Sequence, residues 1–488
     1  MEVRWTTGAA TVRCPVCRRT GPQDLLAIVD VAWREGAVEV VRCRDCGAVV
    51  LSAVLPPSSY GNAAWDDYIE HLARIEAIAD MLVKVDAPAG ARMLDVGCGY
   101  GFGIDIAQFL FGWKGTGLDP SITAQRGRDE LGLDIRLGTM DECIARDERF
   151  DVVFASEVVE HLSDPCSFLT SVRRCLSNRG VLLLTTPDAS VVRPGTPLTA
   201  LHQALSVGAH EFLVTTDGLE RLLRDAGFDA RVWTVGSNIQ ALASASSVAL
   251  RATRPKATAS RRDVVRYCAA RAQTAQPGSA LAVGMAARQL EYATDARAFE
   301  HATMALAALR SALCCRYGVN LDAGASVEVL DDPRSSFLVA HYFAGVLALR
   351  RDRDLGRALD HFGASGAIAK AQYDRNGEYI DPYTPLLEVH ALGHRAVILA
   401  QIDRTWPSEA LDDLDAAIDR GAGTPDFARQ YRDRVRRSLP TRSLPTRAGR
   451  SMRAAAVRAQ RRLTRPRWDH KPVVGCPRRR LLLPTRLR

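Results

Sequence analysis

Leu94-Asp95-Val96-Gly97-Cys98-Gly99-Tyr100-Gly101-Phe102-Gly103 is the stretch on which the fold turns. An apolar run ends at Val96, glycines follow at alternate positions, and a helical pattern begins over 103–111. That is a buried strand entering a glycine loop and then a helix. The missing side chains let the backbone turn tightly and approach a ligand closely. Asp119 closes the next apolar run, GTGLD (115–119), twenty residues after Gly99. At that separation a carboxylate can accept hydrogen bonds from ribose hydroxyls. On these two features alone a dinucleotide-binding dehydrogenase stays open.

Outward from the loop, short apolar runs alternate with helical stretches. ARMLDV (91–96), GTGLD, FDVVFA (150–155) and VLLLTT (181–186) read as strands bounded by Gly, Pro or Asp. Helical patterns lie around 103–111, 121–131 and 166–176. The alternation predicts a parallel sheet covered on both faces. DARVWTV (229–235) and VALRAT (248–253) are expected to finish it as an antiparallel edge pair. Before the loop, Tyr68, Leu72, Ile75, Ala79 and Leu82 recur at three- and four-residue steps. They predict one amphipathic helix over 65–85.

A second constellation is Glu157, Glu160 and His161 in SEVVEHL, with His210 in AHEF. If a helical turn follows the strand, Glu157 and Glu160 share a face, and His161 joins them. Carboxylates mixed with imidazoles suit a divalent ion. Either that ion or a nearby imidazole would assist deprotonation of an alcohol. The plainer alternatives are that His161 anchors the helix or acts as a base without metal.

Cys14-Pro15-Val16-Cys17 and Cys43-Arg44-Asp45-Cys46-Gly47 are two CxxC knuckles. Four thiolates at this spacing predict a closed, structural zinc ribbon, and the Gly after the second pair permits the knuckle turn. The remaining cysteines, Cys314 and Cys315 among them, are expected to be buried apolar residues.

After TRPKATASRR (253–262), which reads as a linker, the chain becomes Ala- and Leu-rich with helical period to about residue 437. DARAFEHATMALAALRSAL (295–313) is the clearest case. Ala358 with Phe362, and Ala410 with Leu414 and Ala417, use offsets found in tetratricopeptide-like pairs. A 34-residue period is absent, so a degenerate repeat is the minor option. SLPTRSLPTR (438–447) is a direct duplication that opens a low-complexity tail.

The 488 residues leave room for about three domains at ~100–200 residues each. The expected boundaries are 1–60 for the ribbon, 61–253 for the α/β domain with a helical lead-in at 61–87, 254–262 for the linker, 263–437 for the helical domain and 438–488 for a basic disordered tail. The formal net charge of +8 is concentrated at that end. Residues 431–488 hold 19 Arg and Lys against 2 Asp and Glu, so the body is net negative. The tail is a candidate nucleic-acid or anionic-membrane contact, and a solvated tail is the plain alternative. No run of ~18 apolar residues occurs, so no membrane span is expected. The first residues carry no apolar leader, and a cytoplasmic location is expected.

LDVGCGYG, GLDPS, FDVVFASEVVEHLSDP, GVLLLTTPD and GLERLLRDAGF, in that order over 88–253, resemble the class I S-adenosylmethionine-dependent methyltransferases. The resemblance implies a Rossmann-like seven-stranded sheet, here joined to an N-terminal ribbon and an all-α C-terminal domain. It implies that Asp95, Gly97, Gly99 and Gly101 hold the methionine part of the cofactor and Asp119 its ribose. Thr139, Met140 and Asp141 would lie beside the adenine, although GTMDEC departs from the commoner Gly-Asp form. Ser156 is a further cofactor candidate.

The E-x-x-E-H pattern is similar to methyltransferases of ubiquinone biosynthesis and to small-RNA 2′-O-methyltransferases. In the latter a later histidine completes a metal site, and His210 stands where it would be expected. The ribbon resembles that of sugar and polysaccharide methyltransferases, some of them deoxysugar C-methyltransferases. There the small domain helps shape the acceptor pocket, and Tyr60 is a candidate contact. The resemblance therefore implies a methyltransferase acting on a hydroxyl of a sugar, nucleotide sugar or glycan, with structural zinc. The other readings are an RNA 2′-O-methyltransferase with a second divalent metal at Glu157, Glu160, His161 and His210, a sugar C-methyltransferase, and an inactive scaffold whose helical domain binds a protein partner.

Overall fold

The computed structural model describes residues 1–31, 36–52, 66–379, 381, 383–421 and 425–439. Tyr60 and all but the first two residues of the 438–488 tail lie outside them.

The N-terminal sheet is antiparallel and runs β1 (Glu2–Arg13), β2 (Thr20–Asp30), β3 (Val38–Arg42), β4 (Val49–Leu51). Its fifth strand, β10 (Phe212–Leu213), comes from far along the chain and pairs Phe212 with Val50 and Leu213 with Val49. The two cysteine knuckles share one backbone pattern. Arg18 N–H donates to the Cys14 carbonyl, as Gly47 N–H does to Cys43, each at 2.9 Å. Both positions are left-handed, with φ of 62° at Arg18 and 71° at Gly47.

The central sheet has the order β11 (Asp229–Val235), β12 (Asn238–Ser244), β9 (Leu176–Pro187), β8 (Phe150–Ser156), β5 (Arg92–Val96), β6 (Lys114–Leu118), β7 (Ile135–Arg136). All neighbours from β9 to β7 pair in parallel, and β12 is antiparallel to both its neighbours. This is the seven-stranded sheet that the sequence resemblance implies. Its strands read as nearly continuous apolar runs because both faces are covered. Met93, Val152, Phe154 and Leu183 join one core, whereas Leu94, Val153, Ala155 and Leu182 join the other, the two-residue alternation of a pleated strand. Strand order reverses between β5 and β8, which opens a crevice at their carboxyl ends.

The helices of this region are α1 (Ile75–Leu82), α2 (Phe102–Phe111), α3 (Ile122–Leu131), α4 (Met140–Ala145), α5 (Pro165–Cys175), α6 (Leu198–Leu205), α7 (Thr216–Asp225) and α8 (Ser247–Ala252). Two expectations need correction. VALRAT is helical: the Ser246 hydroxyl accepts from Ala249 N–H and caps α8, and the antiparallel partner of DARVWTV is NIQALAS, β12. The lead-in is not one helix either. A wide π-turn spans Tyr68–Leu72, the chain breaks at Ala73 and Arg74, and only then does α1 begin.

The C-terminal region is helical: α9 (Arg261–Thr274), α10 (Ala280–Asp295), α11 (Phe299–Tyr317), α12 (Val327–Asp331), α13 (Ser335–Leu347), α14 (Leu355–Asn376), α15 (Tyr383–Asp403), α16 (Ser408–Asp419) and α17 (Pro425–Ser438). The segment before α9 is strapped to the α/β domain. Arg254 N–H donates to the Lys84 carbonyl at 2.7 Å, Lys84 Nζ to Ala257 at 2.8 Å, and Ala259 N–H to Asp80 at 2.7 Å. Beyond it, Leu281, Met285, Leu290, Leu309 and Phe337 continue the same core as Met93 and Phe102. The ribbon packs on the other core through Cys14, Val16 and Val50. Cys314 and Cys315 are exposed, against expectation, because α11 turns that face outward. Among the described residues no helix is long and apolar enough to cross a membrane.

Candidate functional site

The glycine loop joins β5 to α2 over the crevice. Gly97, Gly99 and Gly101 all take positive φ, 67°, 51° and 90°, so each needs the freedom that only glycine has at no cost. Their surroundings differ. A Cβ on Gly97 would lie 2.6 Å from Val158, and one on Gly101 2.7 Å from Leu133. A Cβ on Gly99 would meet nothing within 4 Å. That position faces open space, as a loop that admits a ligand must.

Asp119 is held against the loop. Gly99 N–H donates to one of its oxygens at 2.8 Å and Ser121 N–H to the other at 2.7 Å. Each oxygen keeps a lone pair for a diol. Asp95 lies beneath the loop, 3% exposed, and burial first, then Asp119, pushes its pKa well up. Met140 is buried and Asp141 exposed at the start of α4, preceding β8. Ser156 ends β8, its hydroxyl 2.7 Å from Thr185 Oγ1.

The carboxylates and histidines follow β8. Glu157 does not sit on a helical face with Glu160. It takes φ +56°, its N–H donates to the Thr185 carbonyl at 2.9 Å, and the 3₁₀ turn comprises only Val159–His161. Its carboxylate accepts from Thr185 Oγ1 at 2.9 Å and Asn238 Nδ2 at 3.1 Å.

Glu160, His161 and His210 do converge, each offering a ligand atom within 4.8 Å of the others. Glu160 is fully buried. Thr186 donates to Oε2 at 3.0 Å, while Oε1 has no partner and lies 4.0 Å from His210 Nε2. The rings of His161 and His210 meet edge to face at 4.7 Å. His161 Nδ1 lies 2.8 Å from the Ala209 carbonyl, and His210 Nδ1 lies 2.7 Å from that of Ala204. A carbonyl accepts only, so each Nδ1 carries the proton and each Nε2 keeps its lone pair.

Burial holds His161 low, and burial with the neighbouring ring takes His210 down to about 4. Both are therefore neutral near pH 7. Burial, and secondarily Glu157, pushes Glu160 well up. An orphaned carboxylate oxygen beside two bare imidazole nitrogens, both oriented by carbonyls, fits a divalent cation. Thr185 and Thr186 fall in the GVLLLTTPD motif and Asn238 in none, and sequence reasoning assigned none of the three to the site.

In the ribbon, Cys14, Cys17, Cys43 and Cys46 bring their sulfurs within 4.8 Å of one another, with closest pairs at 3.5 Å. A tetrahedral zinc site with ~2.3 Å bonds spaces its sulfurs about 3.8 Å apart, so the four residues can hold zinc. The hydrogen bond from Cys46 draws the Cys14 thiol down to about 5. The ribbon reaches the crevice through β10. Leu51 N–H donates to Glu211 O at 3.1 Å, Glu211 N–H to Glu160 O at 2.8 Å, and Thr215 Oγ1 to Cys46 O at 3.1 Å.

Residues 67–231 match a family model described as a methyltransferase domain. A ubiquinone biosynthesis O-methyltransferase of Ruegeria sp. (strain TM1040) is 33% identical over 178 residues, 33% of this chain and 70% of that one. One from Cereibacter sphaeroides (strain ATCC 17025) is 31% identical over 174 residues, with the same shares. Among solved structures, an O-methyltransferase family protein from Burkholderia thailandensis shares 17% identity. It covers 38% of this chain and 59% of that chain at a TM-score of 0.32. With its glycine loop, an aspartate held against that loop and a seven-stranded sheet, the chain belongs to the class I S-adenosylmethionine-dependent methyltransferases.

Proposed function

We propose that this enzyme methylates a hydroxyl and that Glu160, His161 and His210 form its chemical centre. The observation that carries the reading is the convergence of a buried, half-partnered carboxylate with two imidazoles whose Nε2 atoms are bare. S-adenosylmethionine supplies an electrophilic methyl on a sulfonium. Asp119 would take its ribose, and Asp95, Gly97, Gly99 and Gly101 its methionine end, with Met140, Asp141 and Ser156 around the remainder. The acceptor oxygen attacks the methyl carbon, the carbon–sulfur bond breaks, and its electron pair stays on sulfur as a thioether.

The proton leaves the hydroxyl for an imidazole Nε2. His161 is exposed and would meet the acceptor, whereas His210 and Glu160 are buried. A divalent cation held by the three would instead occupy both Nε2 lone pairs; it would lower the hydroxyl's pKa, and the proton would pass to solvent. The chain's larger contribution is to hold oxygen and methyl in line. Glu157, held by Thr185 and Asn238, shapes the crevice beside them.

The hydroxyl acceptor agrees with the relatives named as O-methyltransferases. A sugar, nucleotide sugar or glycan is the class we favour, on the ribbon that closes over this side of the sheet. The E-x-x-E-H pattern with His210 also resembles a small-RNA 2′-O-methyltransferase centre, which makes RNA the second reading, although Glu157 stands outside the convergent three.

The test uses methyl-labelled S-adenosylmethionine, purified protein and a cell extract fractionated into small sugars, polysaccharide and RNA. Label in carbohydrate supports the favoured acceptor, and label in RNA replaces it. His161→Gln and His210→Asn should each lower turnover on the order of a hundredfold or more while cofactor affinity holds. Wild-type turnover in both removes the proposed centre.

A further inference from the structure

The lead-in turn over the crevice is held by the helical domain, more than two hundred residues away in sequence. Arg288 on α10 is 4% exposed. Its Nη1 donates to the Ile69 carbonyl at 2.7 Å and the Glu70 carbonyl at 3.3 Å, and its Nε to Ala73 at 3.0 Å. The last carbonyls of a helical turn lack partners of their own, and a guanidinium supplies them. One turn earlier, Gly284 lets α10 approach so closely that a Cβ would stand 2.4 Å from Ile69 O and 2.8 Å from Glu70 Cα.

A second grip comes from α11. Arg316 reaches Asp66 at 2.6 Å and Glu70 at 2.7 Å, and the Tyr317 hydroxyl donates to Glu70 at 2.6 Å. Asp66 in turn meets Arg126 at 2.8 Å; Arg126 pairs with Glu130, and Glu130 accepts from Tyr100 of the glycine loop at 2.5 Å. The polar chain thus runs from α11 to the loop without a gap.

What the turn presents to the crevice is Tyr68. Its ring lies 6.4 Å from Phe102, which packs at 5.0 Å on Tyr100. Burial pushes its hydroxyl up to about 12; Arg288 opposes the rise, and Asp95, Asp119 and Cys98 add to it. Those last three neighbours belong to the glycine loop and its two acids. The turn is a π-turn, closed by Ala73 N–H to Tyr68 O at 2.9 Å, a geometry that recurs at functional sites.

We propose that the C-terminal helical domain is one wall of the cofactor site: Gly284, Arg288 and Arg316 hold the 66–73 turn so that Tyr68 closes the crevice over the glycine loop. Tyr68 is then a further cofactor-contacting residue, and Gly284, Arg288 and Arg316 are positioning residues. The proposal rests on the cofactor reading of the loop and Asp119. Without the helical domain the α/β domain would keep its loop and lose its cover.

The test measures S-adenosylmethionine binding by calorimetry on the full chain. Gly284→Ala puts a methyl against the turn while favouring the helix that carries it. It should weaken binding about tenfold or more and raise KM for the cofactor to match, with kcat at saturation and zinc content near wild type. Tyr68→Ala should likewise weaken cofactor binding about tenfold or more without touching α10 or α11, and it decides the matter if Gly284→Ala does not fold. Both variants binding within about twofold of wild type overturns the proposal. Asp119→Ala separates the two levels. Undiminished affinity there removes the cofactor reading itself, whereas loss there with wild-type affinity in the other two removes only the wall.

Discussion

Asp105 sits in the first turn of α2, where a carboxylate favours the helix's positive end. It is 1% exposed, and its oxygens accept from Tyr267 at 2.7 Å and from Arg271 Nε and Nη2 at 2.7 and 2.5 Å. A buried charge persists only when it is paired and hydrogen-bonded. Asp105→Ala leaves the half-buried Arg271 without its partner, and breaking a buried pair typically costs about 3–5 kcal/mol. Urea unfolding should show a loss of that order, and a loss under about 1 kcal/mol would mean the pair is solvated. Nothing in the sequence marks Asp105, because its partners lie more than 160 residues away. The glycine loop was readable for the opposite reason. Positive φ at residues 97, 99 and 101 is a local demand, and it writes itself into local residue types.

Elements were legible where their cause was local. The four knuckle cysteines announce themselves by spacing, and the strands from β5 to β9 by apolar runs between turn residues. The lead-in misled because three of its carbonyls are taken by Arg288, which interrupts a pattern that alone would continue as a helix. Glu157 left its expected face because the neighbouring strand β9 captures both its N–H and its carboxylate. VALRAT alternates as a strand would, but the cap at Ser246 decides for helix.

The two-residue strand β10 has the largest functional reach of these elements. It begins two residues after His210 and pairs with β4, whose start lies three residues beyond Cys46. Removing zinc should therefore disturb His210 more than the glycine loop. In chelated protein, turnover should fall at least about tenfold with cofactor affinity within about twofold of wild type. Chelation that weakens cofactor binding as much as turnover would show that the ribbon supports the whole sheet.

At the scale of the molecule, the sheet is sandwiched: ribbon on one core, helical domain on the other. The helical domain also carries buried imidazoles. His394 stacks on Phe362 at 4.9 Å and meets Tyr431 edge to face. Burial, then His390, Arg434 and Arg350, takes it from 6.5 down to about 3. The unfolded chain binds this proton near pH 6.5 and the folded chain only near pH 3. Stability is thus complete above 6.5 and falls as pH drops through that window. His394→Phe keeps the stack and removes the titration. Between pH 7.5 and 5 the wild type should lose about 2 kcal/mol more than the variant in denaturant unfolding. Equal losses would show that His394 is protonated in the folded protein.

The long reach of β10 also orders events during synthesis. β4 ends at Leu51, and the strand that covers its edge begins at Phe212. A ribosome adding about 5–20 residues per second needs on the order of ten seconds or more to make the chain between them. Throughout that interval the ribbon has an open edge of unpaired backbone groups, the kind on which chains pair with one another. The module is thus made well before the strand that finishes it, and its aggregation hazard in the cell is set by the pace of translation.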